Sequence, residues 1–139
     1  MAKRDAYLEH LSKVPMFSAL SKKDLTQIAR RATDSVVEPG QTLTREGSPG
    51  YEFFVIVEGT ADVTRNGRKI ATLGPGDFFG ELALLERVAR NATVTATSRL
   101  EVLVVVSNEF RTLLEDAPGV TYRLLVGMAR RLRELDAKF

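Results

Sequence analysis

Apolar residues recur along this chain with two rhythms, helical at both ends and strand-like in the middle. Leu8, Leu11 and Val14 predict a short first helix that ends near Pro15. Ser21-Lys22-Lys23-Asp24 resembles a capping box with Asp in place of Glu, and Leu25, Ile28 and Ala29 continue it as one face of a second helix. From about Ser35 to Val106 the spacing shortens to runs at residues 42–44, 53–57, 61–65, 69–73, 92–96 and 100–106, separated by glycines at 40, 47, 50, 59, 67, 74, 76 and 80. Asn66-Gly67 between two of these runs predicts a two-residue hairpin turn. Glu38-Pro39-Gly40-Gln41 and Gly74-Pro75-Gly76-Asp77 predict further turns. Many short strands at regular spacing predict a closed roll or barrel. Helical spacing returns at Ser107, a cap for a helix at 109–115, and Pro118 suits the first turn of another. In that last helix Leu125, Met128, Leu132 and Leu135 form a stripe that serves either as an intramolecular lid or as a dimer seam.

Composition narrows the class. With 139 residues the chain is expected to form one domain, 1–139, made of N-terminal helices (1–34), a roll (35–106) and C-terminal helices (107–139). A formal charge of +2 does not argue for a nucleic-acid surface, and the basic residues near the end are interrupted by Glu134 and Asp136. There are no cysteines, which excludes disulfides, thiolate metal sites and cysteine nucleophiles. A single histidine, His10, expected at the surface of the first helix, is too little for a histidine-ligated metal site in a glycine-rich roll. No apolar leader region opens the chain, and the run 102–106 is far too short to span a bilayer, so a cytoplasmic protein without membrane contact is expected. No P-loop or Ser-His-Asp pattern is present, which favours a binding module over an enzyme.

The segment 79–94, FGELALLERVARNATV, carries the most chemistry. A glycine ahead of a short helix lets backbone N–H groups approach an anion, and the helix start favours negative charge. An arginine nine residues after Glu81 can close on the same anion through paired charge-assisted bonds. An ionised glutamate only accepts, which suits sugar hydroxyls. The segment closely resembles the phosphate-binding cassette of cyclic nucleotide-binding domains, the modules of protein kinase A regulatory subunits and catabolite activator proteins. The family pattern F-G-E-[LI]-A-L-L-x4-R-x-A-[TS]-V is matched at Phe79, Gly80, Glu81, Leu82, Ala83, Leu84, Leu85, Arg90, Ala92, Thr93 and Val94.

The resemblance implies an α+β fold: an antiparallel β-roll of double-stranded β-helix, or jelly-roll, type, with N-terminal helices, a short cassette helix and two C-terminal helices. It assigns the cyclic phosphate to Arg90 and to the backbone of Leu82, Ala83 and Ala92, and the ribose to Glu81 assisted by Gly80. The ligand is then cAMP or cGMP, with no cofactor, and cAMP is the more expected; Asn91 departs from the alanine, serine or threonine of the family, where a hydroxyl is associated with cGMP recognition, and leaves the base preference open. Asn91 and Thr93 remain candidates for a base or phosphate contact. For the base, Arg123, Leu124, Met128, Arg130 and Arg131 of the last helix are candidates, with Val63 and Leu73 on the roll side; Arg87 and Glu86 are read as exposed loop residues. A β-roll interaction or dimerisation domain without nucleotide binding, and the sensory half of a larger regulator, channel or kinase, are the alternatives. Direct nucleic-acid binding is not expected, a homodimer through the C-terminal helix is one of the two readings of its apolar stripe, and no downstream effector is indicated.

Overall fold

The computed structural model describes residues 2–137, with side chains from residue 6 onward. The chain divides into two compact units, a helical one up to Arg31 and again from Glu109, and a β unit, Ala32–Asn108.

The helices are α1 (Ala2–Ser12), α2 (Lys22–Arg30), α3 (Ser107–Asp116) and α4 (Pro118–Asp136), with a 3-10 turn at Pro15–Phe17. The capping box forms as the sequence predicts. Ser21 Oγ accepts the Asp24 N–H at 3.2 Å, and Asp24 Oδ2 accepts the Ser21 N–H at 2.9 Å. The same buried carboxylate also receives Arg123 of α4, Nε on Oδ2 at 2.5 Å and Nη2 on Oδ1 at 2.8 Å. Arg123, a sequence-level candidate for the base, is thus engaged as the ionic partner of α2. Leu11, Phe17, Ile28, Phe110 and Leu113 are fully buried, with the Phe17 and Phe110 rings 6.2 Å apart.

One sequence expectation for the helices, the surface position of His10, is corrected. His10 is half-buried, and its Nδ1 is enclosed without a hydrogen-bond partner among the described residues. It lies one helical turn from Tyr7 and beside Leu11 on the inward stripe, so helical spacing carries it inside. In α4 the buried positions are Val120, Leu124 and Gly127, whereas Leu125 and Leu132 are 60% and 65% exposed and Leu135 is also exposed. Of the stripe read as a lid or a seam, Leu125, Leu132 and Leu135 thus face solvent and Met128 is half-buried, while a neighbouring stripe packs.

Gly127 packs because it lacks a side chain: a Cβ there would lie 2.6 Å from the Met16 carbonyl oxygen. Alanine normally improves a helix over glycine by about 1 kcal/mol. Here the obstacle is backbone, so Gly127→Ala is expected to lower stability by about 1–3 kcal/mol. Urea unfolding of the two proteins checks the sign.

The β unit contains β1 (Thr33–Val37), β2 (Thr42–Thr44), β3 (Glu52–Glu58), β4 (Ala61–Arg65), β5 (Arg68–Leu73), β6 (Phe78–Phe79), β7 (Thr93–Ala96) and β8 (Leu100–Val106). They form two four-stranded sheets, β1-β8-β3-β6 and β2-β7-β4-β5, with every pairing antiparallel. This is the jelly-roll type of roll. Phe54, Ile56, Leu100, Val102 and Val104 of the first sheet meet Ala61, Val94 and Ala96 of the second in one apolar core. Asn66 and Gly67 both have positive φ, 53° and 75°, as a primed hairpin turn requires, and the turn joins Arg65 to Arg68.

The roll starts two residues earlier than the sequence indicates. Thr33–Val37 is too polar to alternate, yet its backbone pairs along β8 from Thr33 opposite Val104 to Val37 opposite Leu100. β6 was also illegible, being two residues held by Phe54 and Val55 of β3.

Candidate functional site

One cavity of about 390 Å³ opens between the second sheet and the segment 78–92. That volume lies within the usual range for small-molecule sites. Its floor is set by Gly80, at φ 84° and ψ 15°, which turns the chain from β6 into a 3-10 turn, Glu81–Leu84. A side chain at 80 would strike the Arg90 Nη1 and lie 2.7 Å from the Glu52 carbonyl oxygen, so both conformation and space demand glycine.

Arg90 is positioned from both main chain and side chain. Its N–H donates to Ser48 O at 2.8 Å and its carbonyl accepts from Gly47 N–H at 2.7 Å, which lays residues 88–90 along the 47–50 loop. The side chain passes between Gly50 and Gly80, where a Cβ at either would collide with the guanidinium. Nη2 donates to Glu52 O at 2.6 Å, and the guanidinium carbon sits 6.0 Å from the Phe54 ring centre, itself stacked on Phe79 at 4.9 Å. Burial pushes the Arg90 pKa down and the Glu52 carboxylate opposes that. The group stays cationic, because an arginine starts so far above neutrality. A partly desolvated, pre-oriented guanidinium interacts strongly with an anion.

Gly80, Glu81, Leu82, Ala83, Arg90, Asn91 and Ala92 all line the cavity. Ala83 and Ala92 are buried, whereas Leu82 is 60% exposed. The Ala83 N–H closes the 3-10 turn on Gly80 O at 3.0 Å, so serving an anion requires that bond to be exchanged. The Asn91 carbonyl accepts from Arg65 Nε at 2.9 Å. Thr93 lies outside the lining, and its hydroxyl accepts the Glu46 N–H at 2.9 Å. Arg87 is exposed as expected but lies over the Tyr51 ring at 4.3 Å.

The roll side supplies Val63 and Leu73, both anticipated, together with Thr44, Phe78, Phe79 and Arg65, which sequence reading did not assign to the site. Thr44 is buried, and its hydroxyl donates to Ala92 O at 3.3 Å. Alternation along β4 was the available signal for Arg65, since Ala61, Val63 and Arg65 share one face. The charged residues lining the cavity are Arg65, Arg90 and Glu81, a balance of one net positive charge that complements a monoanion. Among the described residues no cluster of histidine, aspartate and glutamate is arranged to hold a metal ion. No described helix is long and apolar enough to cross a membrane.

Comparison with known proteins follows the same lines. Residues 35–117 match the family model described as the cyclic nucleotide-binding domain. The chain is 40% identical over 114 residues to a cAMP-dependent protein kinase regulatory subunit of Yarrowia lipolytica, covering 81% of this chain and 30% of that protein. Among solved structures, the N-terminal domain of a transcriptional regulator from Streptomyces coelicolor superposes with a TM-score of 0.84 at 31% identity, covering 92% of this chain and 95% of that one. The regulatory domain of Toxoplasma gondii PKA in co-crystals with cAMP gives 0.74 at 29% identity, covering 84% and 46%. The chain spans only 28–30% of the length of the kinase regulatory subunits it matches first.

Proposed function

This chain belongs to the cyclic nucleotide-binding domain family, and we propose that it is a regulatory module that binds cAMP in preference to cGMP. The observation that carries the reading is the one cavity where Gly80, Glu81, Ala83 and Arg90 converge, its charged lining of Arg65, Arg90 and Glu81 leaving one net positive charge. We assign the cyclic phosphate to Arg90 and the backbone of Leu82, Ala83 and Ala92, and the ribose 2′-hydroxyl to Glu81 with Gly80. Asn91 lines the same cavity and carries no hydroxyl where one is associated with cGMP recognition, which supports the cAMP preference. Thr93, tied to Glu46, supports the loop instead of touching the ligand.

The output is a population shift in the C-terminal helices. Phosphate capture exchanges the Ala83–Gly80 bond, and only a ligand that prefers the resulting geometry moves the equilibrium. Tyr122, Leu125 and Leu132 remain exposed on α4, which suits the pairing of two copies through that helix. The module acts without catalysis and without a cofactor, in the cytoplasm, with residues 1–139 working as one domain.

Isothermal calorimetry with cAMP and cGMP on the whole chain tests the reading. Saturable heat with both, tighter for cAMP, is expected. No heat from either at high protein concentration overturns it. Unchanged amide spectra of α4 at saturating cAMP would remove the switching part alone.

A further inference from the structure

We infer that Arg65 reads the acceptor edge of the purine and sets how well this site tolerates cGMP beside cAMP; this rests on the cyclic nucleotide reading above. Arg65 ends β4 on the face of Ala61, which is fully buried, and Val63, which packs against the roll core. Arg65 itself is exposed at the hairpin end of that face, and it lines the cavity. Its Nε is committed to the Asn91 carbonyl at 2.9 Å, which holds the side chain over the cavity beside the residue that follows Arg90. Among the described residues neither Nη is paired with a protein acceptor, so two donors of a planar fork are left for a ligand.

The place of the base follows from the remaining walls. With phosphate and ribose on the Gly80–Ala83 turn and Arg90, the apolar wall of Val63 and Leu73 is left for the base. Arg65 lies two residues beyond Val63, about 7 Å along the strand, where it meets an edge of the ring and not its face. Guanine presents O6 and N7 as adjacent acceptors, whereas adenine pairs N7 with the N6 amino donor. A donor-only fork therefore gains two bonds from guanine and at most one from adenine. Arg65 thus offsets part of the cost that Asn91 imposes on cGMP, and the site remains permissive.

Arg65→Gln tests this, because glutamine offers one donor and one acceptor and suits the adenine edge. Calorimetry with both nucleotides on wild type and variant should show cGMP binding weakened by about tenfold or more, with cAMP changed by less than about threefold. Arg65→Lys, which keeps the charge and loses the fork, should move the ratio the same way by a smaller factor, and it decides the matter if Arg65→Gln melts below the assay temperature. An equal loss for the two nucleotides, as expected if Arg65 only straps the Asn91 loop, overturns the assignment, as does an unchanged ratio. Silence of the wild type with both nucleotides overturns the functional reading and this inference together.

Discussion

Arg90→Ala is expected to weaken cAMP binding by about a hundredfold, roughly 3 kcal/mol. A hydrogen bond to a charged group contributes about 1.5–3 kcal/mol, and truncation also strands the phosphate in a cavity shaped to desolvate it. The guanidinium is already held by Glu52 O and wedged between two glycines, so little orientational freedom is lost on binding. Arg90→Lys should recover only part of the loss. An ammonium is a point charge that cannot keep the Glu52 carbonyl while serving two phosphate oxygens as a planar fork does. Calorimetry against cAMP, with thermal melts confirming that each variant is folded, measures both effects. A dissociation constant within twofold of wild type for Arg90→Ala would show that the anion is held elsewhere.

The arginine was legible in the sequence because the cassette is continuous. Gly80, Glu81, Leu82, Ala83, Arg90 and Ala92 fall within thirteen residues and all line one cavity, although the 47–50 loop and Glu52 fix where the Arg90 side chain lies. Residues that arrive from elsewhere were not legible. Thr44 and Arg65 reach the cavity from separate strands; alternation puts Arg65 on the face of Val63, which sequence reading places at the site, but nothing within β2 points Thr44 to the same cavity. Glu52 is a further case: it acts through its carbonyl oxygen, so its side chain gives no indication of the contact. Thr93 fits the cassette pattern and yet turns to the Glu46 N–H, because alternation along β7 sets it apart from Val94.

Asp24→Ala is expected to lower stability by about 2–3 kcal/mol, a fall in Tm of roughly 5–10 °C. Fully buried pairs broken on one side cost about 3–5 kcal/mol and surface pairs about 0–1 kcal/mol. This one lies between them, since the Asp24 side chain is 3% exposed but Arg123 is 41% exposed and regains water when released. The capping box is lost in the same substitution, which adds to the effect. The pair also predicts a pH dependence. The Arg123 guanidinium, helped by the Ser21 bonds, holds the Asp24 carboxyl at about 2 against an ordinary 3.8. A carboxylate held low contributes stability that is present above the unfolded value and is lost as pH falls through the folded one. The wild type should therefore lose about 2 kcal/mol between about pH 4 and pH 2 that Asp24→Asn does not lose. Urea unfolding at several pH values checks this, and parallel curves for the two proteins would remove the pair from the account.

The sequence by itself determined what depends on near neighbours in the chain. The capping box at Ser21 and Asp24, the Asn66-Gly67 turn, most strands of the roll and the Gly80–Ala83 turn of the cassette follow from spacings of a few residues, where backbone geometry leaves few choices. Tertiary structure decided what depends on meetings between distant segments. It placed Thr33–Val37 on β8 through backbone bonds that no side-chain pattern announces. It gave Arg123 to Asp24, and it buried Leu124 and Gly127 while leaving Leu125 and Leu132 exposed. Two apolar stripes on one helix are equivalent in sequence until a partner surface, here the bare backbone at Met16, accepts one of them. The half of the cavity proposed for the phosphate is thus contiguous in sequence, with Arg90 fixed by the 47–50 loop and Glu52, and the half proposed for the base is assembled by the closure of the roll.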